Sequence, residues 1–198
     1  TLEEQELIDI YKKTGALKEG HFLLSSGKHS THYLQSALVL SHPIWKARVC
    51  IALAEKVSNL VTENKINLVV SPAMGGIVVG SSVGESLNLQ SIFLERIDGN
   101  FKLRRGFSIT DSHKVLIVED VVTTGKSSLE CIECIKAYGG QVIAEASLVN
   151  RGGKDLSIGI PLVSLITMEL PTYDENNLPE SLKAIPITSP GSRFRTID

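Results

Sequence analysis

The sequence lacks any apolar stretch near the roughly 20 residues that a membrane-spanning helix requires. It also lacks a strong charge of either sign, because 20 basic residues stand against 22 acidic ones and give a formal charge of -2. A protein without an overall basic field is poorly suited to bind nucleic acid or an anionic membrane. We therefore expect neither partner, and work on a small molecule is the better hypothesis.

Cysteine is scarce, with 3 residues in a chain of 198. Such a number does not indicate a disulfide framework, and the acidic segment 1–6 does not resemble a signal peptide. We expect a cytoplasmic protein in a reducing compartment. Cys131 and Cys134 form a CxxC, but no second pair and no histidine cluster stands at zinc spacing. A packed helix face is therefore favoured over metal or redox chemistry.

Short apolar runs alternate with amphipathic stretches through the middle of the chain. Apolar runs without polar alternation are typical of parallel strands that are buried on both faces. The repeated strand and helix units predict an α/β fold with a mostly parallel sheet flanked by helices. The predicted strands cover residues 68–71, 91–94, 115–118, 142–149 and 162–166. The predicted helices cover residues 2–13, with Thr1 and Glu4 in capping-box spacing, 43–63, 77–87 and 127–138.

The two ends of the chain have a more mixed pattern than the middle. Residues 170–198 also contain four prolines, at positions 171, 179, 186 and 190. We predict that residues 1–40 and 170–198 pack together as a hood over one edge of the sheet. Residues 41–169 would then form the core of a single domain that spans residues 1–198.

The string VLIVEDVVTTGKSS at residues 115–128 joins a predicted strand to a predicted helix. Its two carboxylates, Glu119 and Asp120, stand where the apolar run ends, and ligands of open parallel sheets bind beyond that edge. The segment 121–127 enters the helix, so its backbone N–H groups and hydroxyls can surround a phosphate. Carboxylates beside a phosphate need another task, such as accepting hydrogen bonds from a ribose diol or holding Mg2+ through water.

The string permits two other interpretations. For Asp120 alone, a helix N-cap is an equal alternative. A Walker A loop is disfavoured, because Asp120 stands where that motif has a glycine.

The same string resembles the phosphoribosyl-pyrophosphate (PRPP) motif of type I phosphoribosyltransferases at nearly every position. The resemblance implies that Glu119 and Asp120 face the ribose hydroxyls and that residues 123–127 cradle the 5'-phosphate. It implies Mg2+ as cofactor, held through PRPP and water with no direct protein ligand. The residues implied for PRPP binding are Arg96, Glu119, Asp120, Val121, Val122, Thr123, Thr124, Gly125, Lys126 and Ser127.

The string SPAMGGI at residues 71–77 resembles the pyrophosphate loop of the same family. The implied loop residues are Ala73, Met74, Gly75 and Gly76. A glycine pair suits the close approach of pyrophosphate to the backbone. Taken alone, it is equally typical of a turn that enters a helix.

Further segments resemble the orotate phosphoribosyltransferases within that family. These are FLLSSGKHSTHY at 22–33, which would lie over the base, LER at 94–96, LRRGF at 103–107 and PGSR at 190–193. Many members have a lysine where this chain has Ser25, and Lys28 either supplies that cation or lies in a solvated turn. The resemblance places Arg151 on the orotate carboxylate, which a guanidinium can bond bidentately, with Thr123 and Lys28 also at the base.

Residues 97–108, IDGNFKLRRGFS, permit two interpretations. The simpler one is a solvated hairpin with turns at residues 98–99 and at Gly106. The resemblance implies instead a mobile catalytic loop that closes over the site of the neighbouring subunit in a homodimer. Lys102, Arg104 and Arg105 would then neutralise the departing pyrophosphate, and with Asp120 they are the predicted catalytic residues.

The resemblance implies transfer of the 5-phosphoribosyl group from PRPP to orotate, giving orotidine 5'-monophosphate and pyrophosphate in UMP synthesis. One alternative is a phosphoribosyltransferase that acts on another base. The other is a PRPP-sensing regulator without catalysis. The regulator is disfavoured because such proteins usually carry an added DNA-binding region with a basic face, and no segment of this sequence fits that description.

Overall fold

A computed structural model describes residues 1–24 and 26–190. The helices are α1 (Glu4–Lys13), α2 (Ser36–Leu40), α3 (Pro43–Glu63), α4 (Gly75–Leu87), α5 (Lys126–Ala137) and α6 (Glu180–Lys183). The strands are β1 (Leu17–Leu23), β2 (His29–Leu34), β3 (Leu68–Pro72), β4 (Gln90–Ile97), β5 (Asn100–Leu103), β6 (Lys114–Val122), β7 (Gln141–Asn150), β8 (Leu162–Thr167), β9 (Thr172–Tyr173) and β10 (Ile187–Thr188). None of the helices in this part of the chain is long and apolar enough to cross a membrane.

A six-stranded sheet with the order β5-β4-β3-β6-β7-β8 forms the centre of the fold. Its strands are parallel except for β5, which pairs antiparallel with β4 at one edge. Successive residues of β6 enter opposite cores: Leu116 and Val118 pack on the face covered by α3 and α4, and Ile117 packs on the face covered by α5. Burial on both faces explains the apolar runs, and the predicted α/β fold with a mostly parallel sheet is confirmed.

Helix α4 packs unusually close to the sheet because one of its faces carries only glycines. Gly76, Gly80 and Gly84 recur every four residues, which places them on a single face. A side chain at Gly80 would collide with Ser71 of β3, and one at Gly84 would collide with Ser91 of β4. This close approach brings the first turn of α4 against the carboxyl ends of β3 and β6.

A four-stranded sheet with the order β10-β1-β2-β9 joins the two ends of the chain. Strands β1 and β2 form an antiparallel hairpin, β10 runs parallel to β1, and β9 runs antiparallel to β2. This sheet is the predicted hood, built from both the N-terminal and the C-terminal segments. The domain boundaries at residues 40 and 170 stay predictions.

The observed elements extend or correct the predicted ones at their ends. Strand β6 continues through Glu119 and Asp120 to Val122, because the pairing with β7 continues as far as Asn150. Helix α4 begins at Gly75 and not at residue 77, and α5 covers Lys126–Ala137 in place of 127–138. The predicted capping box at Thr1 is wrong, since α1 has Glu3 as its N-cap and no capping hydrogen bond from a side chain.

Candidate active site

The carboxyl ends of β3, β6 and β7 lead into three loops at one edge of the sheet. They are residues 73–74 before α4, residues 123–125 before α5, and residues 151–153 after β7. Arg151 N–H donates to Val122 O at 2.9 Å, so the third loop is tied to the end of β6. The strand order therefore brings together segments that lie up to 80 residues apart in the sequence.

The two adjacent carboxylates lie on opposite faces of β6. Asp120 lies against the first turn of α4, where a Cβ built on Gly75 would be 3.1 Å from both carboxylate oxygens. Asp120 Oδ1 accepts a hydrogen bond from Val121 N–H at 2.8 Å, and Glu119 Oε1 accepts one from Asp120 N–H at 3.0 Å. The N-cap alternative for Asp120 is wrong, because Met74 caps α4 and Gly125 caps α5, both without a side-chain hydrogen bond.

Glu119 has an altered affinity for protons. Burial, together with the negative charge of Asp120 beside it, raises the pKa of Glu119 well above its ordinary value. A carboxyl that shares its site with a second acid holds a proton more readily. The pair can therefore both donate and accept hydrogen bonds, which suits it to hydroxyl groups of a sugar.

The loop between β6 and α5 has the geometry of an anion site. Gly125 adopts a left-handed φ of +83° and serves as the N-cap of α5. Glycine has no side chain to cap the helix. The N–H of Lys126 donates to Thr124 Oγ1 at 3.3 Å, and the N–H groups of Ser127 and Ser128 remain available to a ligand. Thr123, Thr124, Lys126 and Ser127 are exposed around this turn.

Arg96 of β4 reaches the same turn. Its guanidinium donates to Ser127 Oγ at 3.2 Å and to Gly99 O at 2.9 Å, and it forms an ion pair with Glu130 of α5. The guanidinium carbon lies 4.1 Å from the centre of the Phe101 ring. The structure thus brings Arg96 to the predicted phosphate loop, through contacts that the sequence motif does not contain.

The predicted pyrophosphate loop lies next to Asp120. Ala73 N–H donates to Leu94 O at 2.8 Å, and the Ala73–Met74 peptide bond is cis. A Cβ on Gly76 would be 3.0 to 3.2 Å from Pro72, Ser71 and Val118, so this position tolerates little besides glycine. The Met74 side chain is 82% exposed.

Arg151, in the third loop, has a partly buried guanidinium. Its Nη2 atom is enclosed and has no hydrogen-bond partner among the residues that the structure describes, and burial lowers the pKa of its guanidinium. An enclosed donor without an acceptor is costly unless a ligand satisfies it. Next to it, a Cβ on Gly152 would collide with the carbonyl oxygen of Thr123, so Arg151 and Thr123 belong to loops in direct contact.

Segment 97–108 adopts the predicted hairpin geometry. Strands β4 and β5 pair antiparallel from Leu94–Leu103 to Ile97–Asn100, and Asp98 and Gly99 both have positive φ angles in the turn. Arg105 donates two hydrogen bonds of 2.8 Å to Glu95, and this contact holds the pKa of Glu95 below its ordinary value. Lys102 and Arg104 are exposed, and neither forms an ion pair within residues 1–24 and 26–190.

One predicted contribution from the N-terminal segment lies in a turn, and two other predicted positions lie outside the described residues. Lys28 is exposed in the turn of the β1–β2 hairpin, where its carbonyl accepts a hydrogen bond from Leu24 N–H at 2.8 Å. Within residues 1–24 and 26–190, Lys28 forms no hydrogen bond with Arg151 or Thr123. Ser25 lies outside the described residues, as does the segment 190–193 apart from Pro190.

The cysteine pair has a structural role. Cys131 is buried on α5, and Cys134 packs against the same apolar cluster with its Sγ donating to Phe101 O at 3.5 Å. The predicted packed helix face is therefore confirmed. Glu145, which is buried on the same side of the sheet, was not identified from the sequence. The one sign of it in the sequence is an acidic residue inside the apolar run 142–149.

Comparison with known proteins agrees with this geometry. The phosphoribosyl transferase domain family matches residues 40–184. The orotate phosphoribosyltransferase of Erythrobacter litoralis is 48% identical over 98% of this chain and 100% of its own length. That of Caulobacter vibrioides is 46% identical over 97% of this chain and 98% of its own length.

A solved structure extends the likeness to three dimensions. The crystal structure of orotate phosphoribosyltransferase from Aeropyrum pernix superposes with a TM-score of 0.72 and 25% identity, covering 82% of this chain and 94% of that one. Family match, full-length identity and fold all agree. This chain therefore belongs to the phosphoribosyltransferase family, and within it to the orotate phosphoribosyltransferases.

Proposed function

We propose that this protein transfers the 5-phosphoribosyl group of PRPP to orotate, releasing pyrophosphate and forming orotidine 5'-monophosphate for pyrimidine synthesis. The full-length similarity to curated orotate phosphoribosyltransferases supports orotate over another base and an enzyme over a regulator. The structural observation that carries the proposal is the enclosed Nη2 of Arg151 beside Thr123. This N–H donor has no partner within the described residues, and a planar carboxylate would satisfy it.

In the proposed complex, the 5'-phosphate lies on the N–H groups of the turn at 123–127. The ribose hydroxyls then face Glu119 and Asp120, and the pyrophosphate approaches the backbone of residues 73–76. The contact between Asp120 and Gly75 supports this arrangement, since it places a ribose-binding acid beside the pyrophosphate loop. Orotate occupies the remaining side, with its carboxylate on Arg151 and with Thr123 nearby.

The chemistry requires no nucleophilic side chain from the protein. A ring nitrogen of orotate forms a bond to the anomeric carbon, and its proton passes to solvent. The bond from that carbon to pyrophosphate breaks, and the pyrophosphate leaves with the electron pair. Positive charge develops on the sugar ring, and the carboxylate of Asp120 is expected to stabilise it. Lys102, Arg104 and Arg105 compensate the negative charge of the departing group when segment 97–108 closes and excludes water.

Mg2+ is part of the proposal. Within the described residues, no group of three or more His, Cys, Asp or Glu side chains could hold a metal ion directly. The carboxylate of Asp120 fits a cation bound through water, which Mg2+ commonly prefers. When bound with PRPP, Mg2+ neutralises part of the charge of the pyrophosphate group.

We further propose a homodimer in which segment 97–108 of one subunit reaches the active site of its neighbour. The exposure of Lys102 and Arg104 supports this arrangement. Because neither side chain is paired with an acid of its own subunit within the described residues, both can contact a ligand bound to the neighbour. Met74 of the pyrophosphate loop and Ile44 of α3 are 82% and 76% exposed, so their apolar surface is available to a neighbouring subunit. A cytoplasmic location stays a prediction.

The test is an assay of PRPP consumption with Mg2+ present, in which orotate is compared with uracil, adenine and hypoxanthine. We expect turnover with orotate and at least 100-fold lower kcat/KM with uracil, because an unpaired buried guanidinium penalises a base that lacks the carboxylate. Equal rates with uracil would contradict the role of Arg151. Absence of any orotate-dependent loss of PRPP would reject the function.

A further inference from the structure

A buried carboxyl group lies behind the phosphate loop and takes no part in the chemistry described above. Glu145 of β7 is 1% exposed and pairs in register with Ile117 of β6. On the other side of β7 its register partner is Leu162 of β8, which is also apolar. A charge in such surroundings is costly unless an opposite charge compensates it.

Glu145 connects directly to the helix that carries the phosphate loop. Ser128, itself buried, is the third residue of α5, and its Oγ donates to Glu145 Oε1 at 3.0 Å. The second oxygen, Oε2, is enclosed and has no hydrogen-bond partner among residues 1–24 and 26–190. The carboxyl group thus holds the first turn of α5 through Oε1, and Oε2 is left without a hydrogen-bond partner in this part of the chain.

Two acidic groups lie near Glu145, the carboxyl of Glu119 and the thiol of Cys131, and the guanidinium of Arg96 lies near enough to that thiol to oppose the rise of its pKa. Glu119 stands two positions further along β6 on the same face, about 8 Å away at Cα by the spacing of parallel strands. From α5 the nearby titratable group is the Cys131 thiol, whose pKa is raised by burial and by both carboxyls. Burial likewise raises the pKa of Glu145 to about 7, and the hydrogen bond from Ser128 opposes that rise.

We propose that Glu145 is a positioning residue for PRPP, which holds the first turn of α5 in place as a neutral acid and weakens PRPP binding when it ionises. This inference rests on the proposed function, since it assumes that PRPP binds at the turn before α5. Ionisation would add a negative charge next to Glu119 and on the order of 10 Å from a bound phosphate. At an effective dielectric constant near 20, that charge weakens binding roughly tenfold.

The reciprocal effect gives a second signature. If ionised Glu145 weakens PRPP binding, then bound PRPP must raise the pKa of Glu145 and draw a proton from solution. Proton uptake on binding near pH 7 is therefore expected in the parent protein. A purely structural role of Glu145 in packing would produce no such uptake.

The experiment is a calorimetric titration with PRPP and Mg2+ between pH 6 and 9, repeated in buffers of different ionisation enthalpy. We expect the Kd of the parent protein to rise roughly tenfold more over this range than that of Glu145→Gln, which keeps an acceptor for Ser128 but cannot ionise. Glu145→Gln should also lose the proton uptake. Glu133→Gln, on the exposed face of α5, is the matched control and should follow the parent protein.

Ser128→Ala gives an independent test that does not depend on the folding of Glu145→Gln. Because the hydrogen bond from Ser128 lowers the pKa of Glu145, its removal should move the inflection in Kd to higher pH. Parallel pH profiles for the parent protein and Glu145→Gln, or an unmoved inflection in Ser128→Ala, overturn the proposal. Absence of PRPP binding by the parent protein at every pH would reject the proposed function as well, whereas coincident profiles with intact binding reject this inference alone.

Discussion

The carboxylate of Asp120 lies against Gly75, so close that a single added methyl group would stand 3.1 Å from both of its oxygens. The contact joins two motifs that are 45 residues apart in the sequence. In the proposed complex, one supplies the acid for the ribose, and the other supplies backbone for the pyrophosphate. The spacing between them is set by the glycine face of α4.

Gly75→Ala should weaken PRPP binding without weakening the fold. Alanine is a better helix residue than glycine by about 0.5–1 kcal/mol, so the free energy of unfolding should stay equal or rise. The added methyl group must displace the Asp120 carboxylate by a few tenths of an ångström, and misplacement on this scale should raise the KM for PRPP roughly 3- to 10-fold. Ser81→Ala, at an exposed position of the same helix, serves as control. An unchanged KM in Gly75→Ala would show that Asp120 does not need its present position.

Arg151→Lys should lower orotate use while leaving PRPP binding intact. Lysine keeps the positive charge but loses the planar fork that bonds a carboxylate through two N–H groups. We expect kcat/KM for orotate to fall by about 10- to 100-fold, with a change below about threefold in the Kd of PRPP. Lys154→Ala, at an exposed cation that directly follows this loop, should be neutral. A loss that falls equally on both substrates would indicate a general disturbance of the loop.

Complementation between inactive variants tests the shared site of the proposed dimer. One variant carries Lys102→Ala with Arg104→Ala in segment 97–108, and the other carries Asp120→Asn in the ribose site. If segment 97–108 acts across the interface, mixed dimers contain one intact site. Mixing and re-equilibrating the two should then restore on the order of a quarter of the parental activity. No recovery, with subunit exchange verified by mass, would place the segment over the site of its own subunit.

Glu145→Gln should remove a pH dependence of stability. The pKa of Glu145 is about 7 in the folded protein against an ordinary value of 4.5, so between these values the folded state binds more protons than the unfolded state. Stability from this group is therefore full below pH 4.5 and is lost as the pH rises through 7. Urea unfolding should show that the parent protein loses about 2–3 kcal/mol more than Glu145→Gln between pH 5 and pH 8. An equal loss of unfolding free energy in both proteins would mean that ionisation of Glu145 does not destabilise the folded state.

The sequence predicted what is local and missed what depends on tertiary pairing. The strand and helix around residues 115–128 could be predicted, because buried strands are continuously apolar and the loop residues are contiguous. The pairing of Arg105 with Glu95 could not, since it follows from the register of β4 and β5. The strands of two residues, β9 and β10, are likewise too short to carry a pattern and exist only through their pairing with β2 and β1.

The most direct measurement is a crystal structure with orotidine 5'-monophosphate bound. The 5'-phosphate should accept hydrogen bonds from the N–H groups of residues 124–127. The ribose hydroxyls should contact Glu119 and Asp120, and the base carboxylate should contact Arg151 Nη2. A nucleotide bound elsewhere, or one whose phosphate avoids the turn at Gly125, would contradict the account.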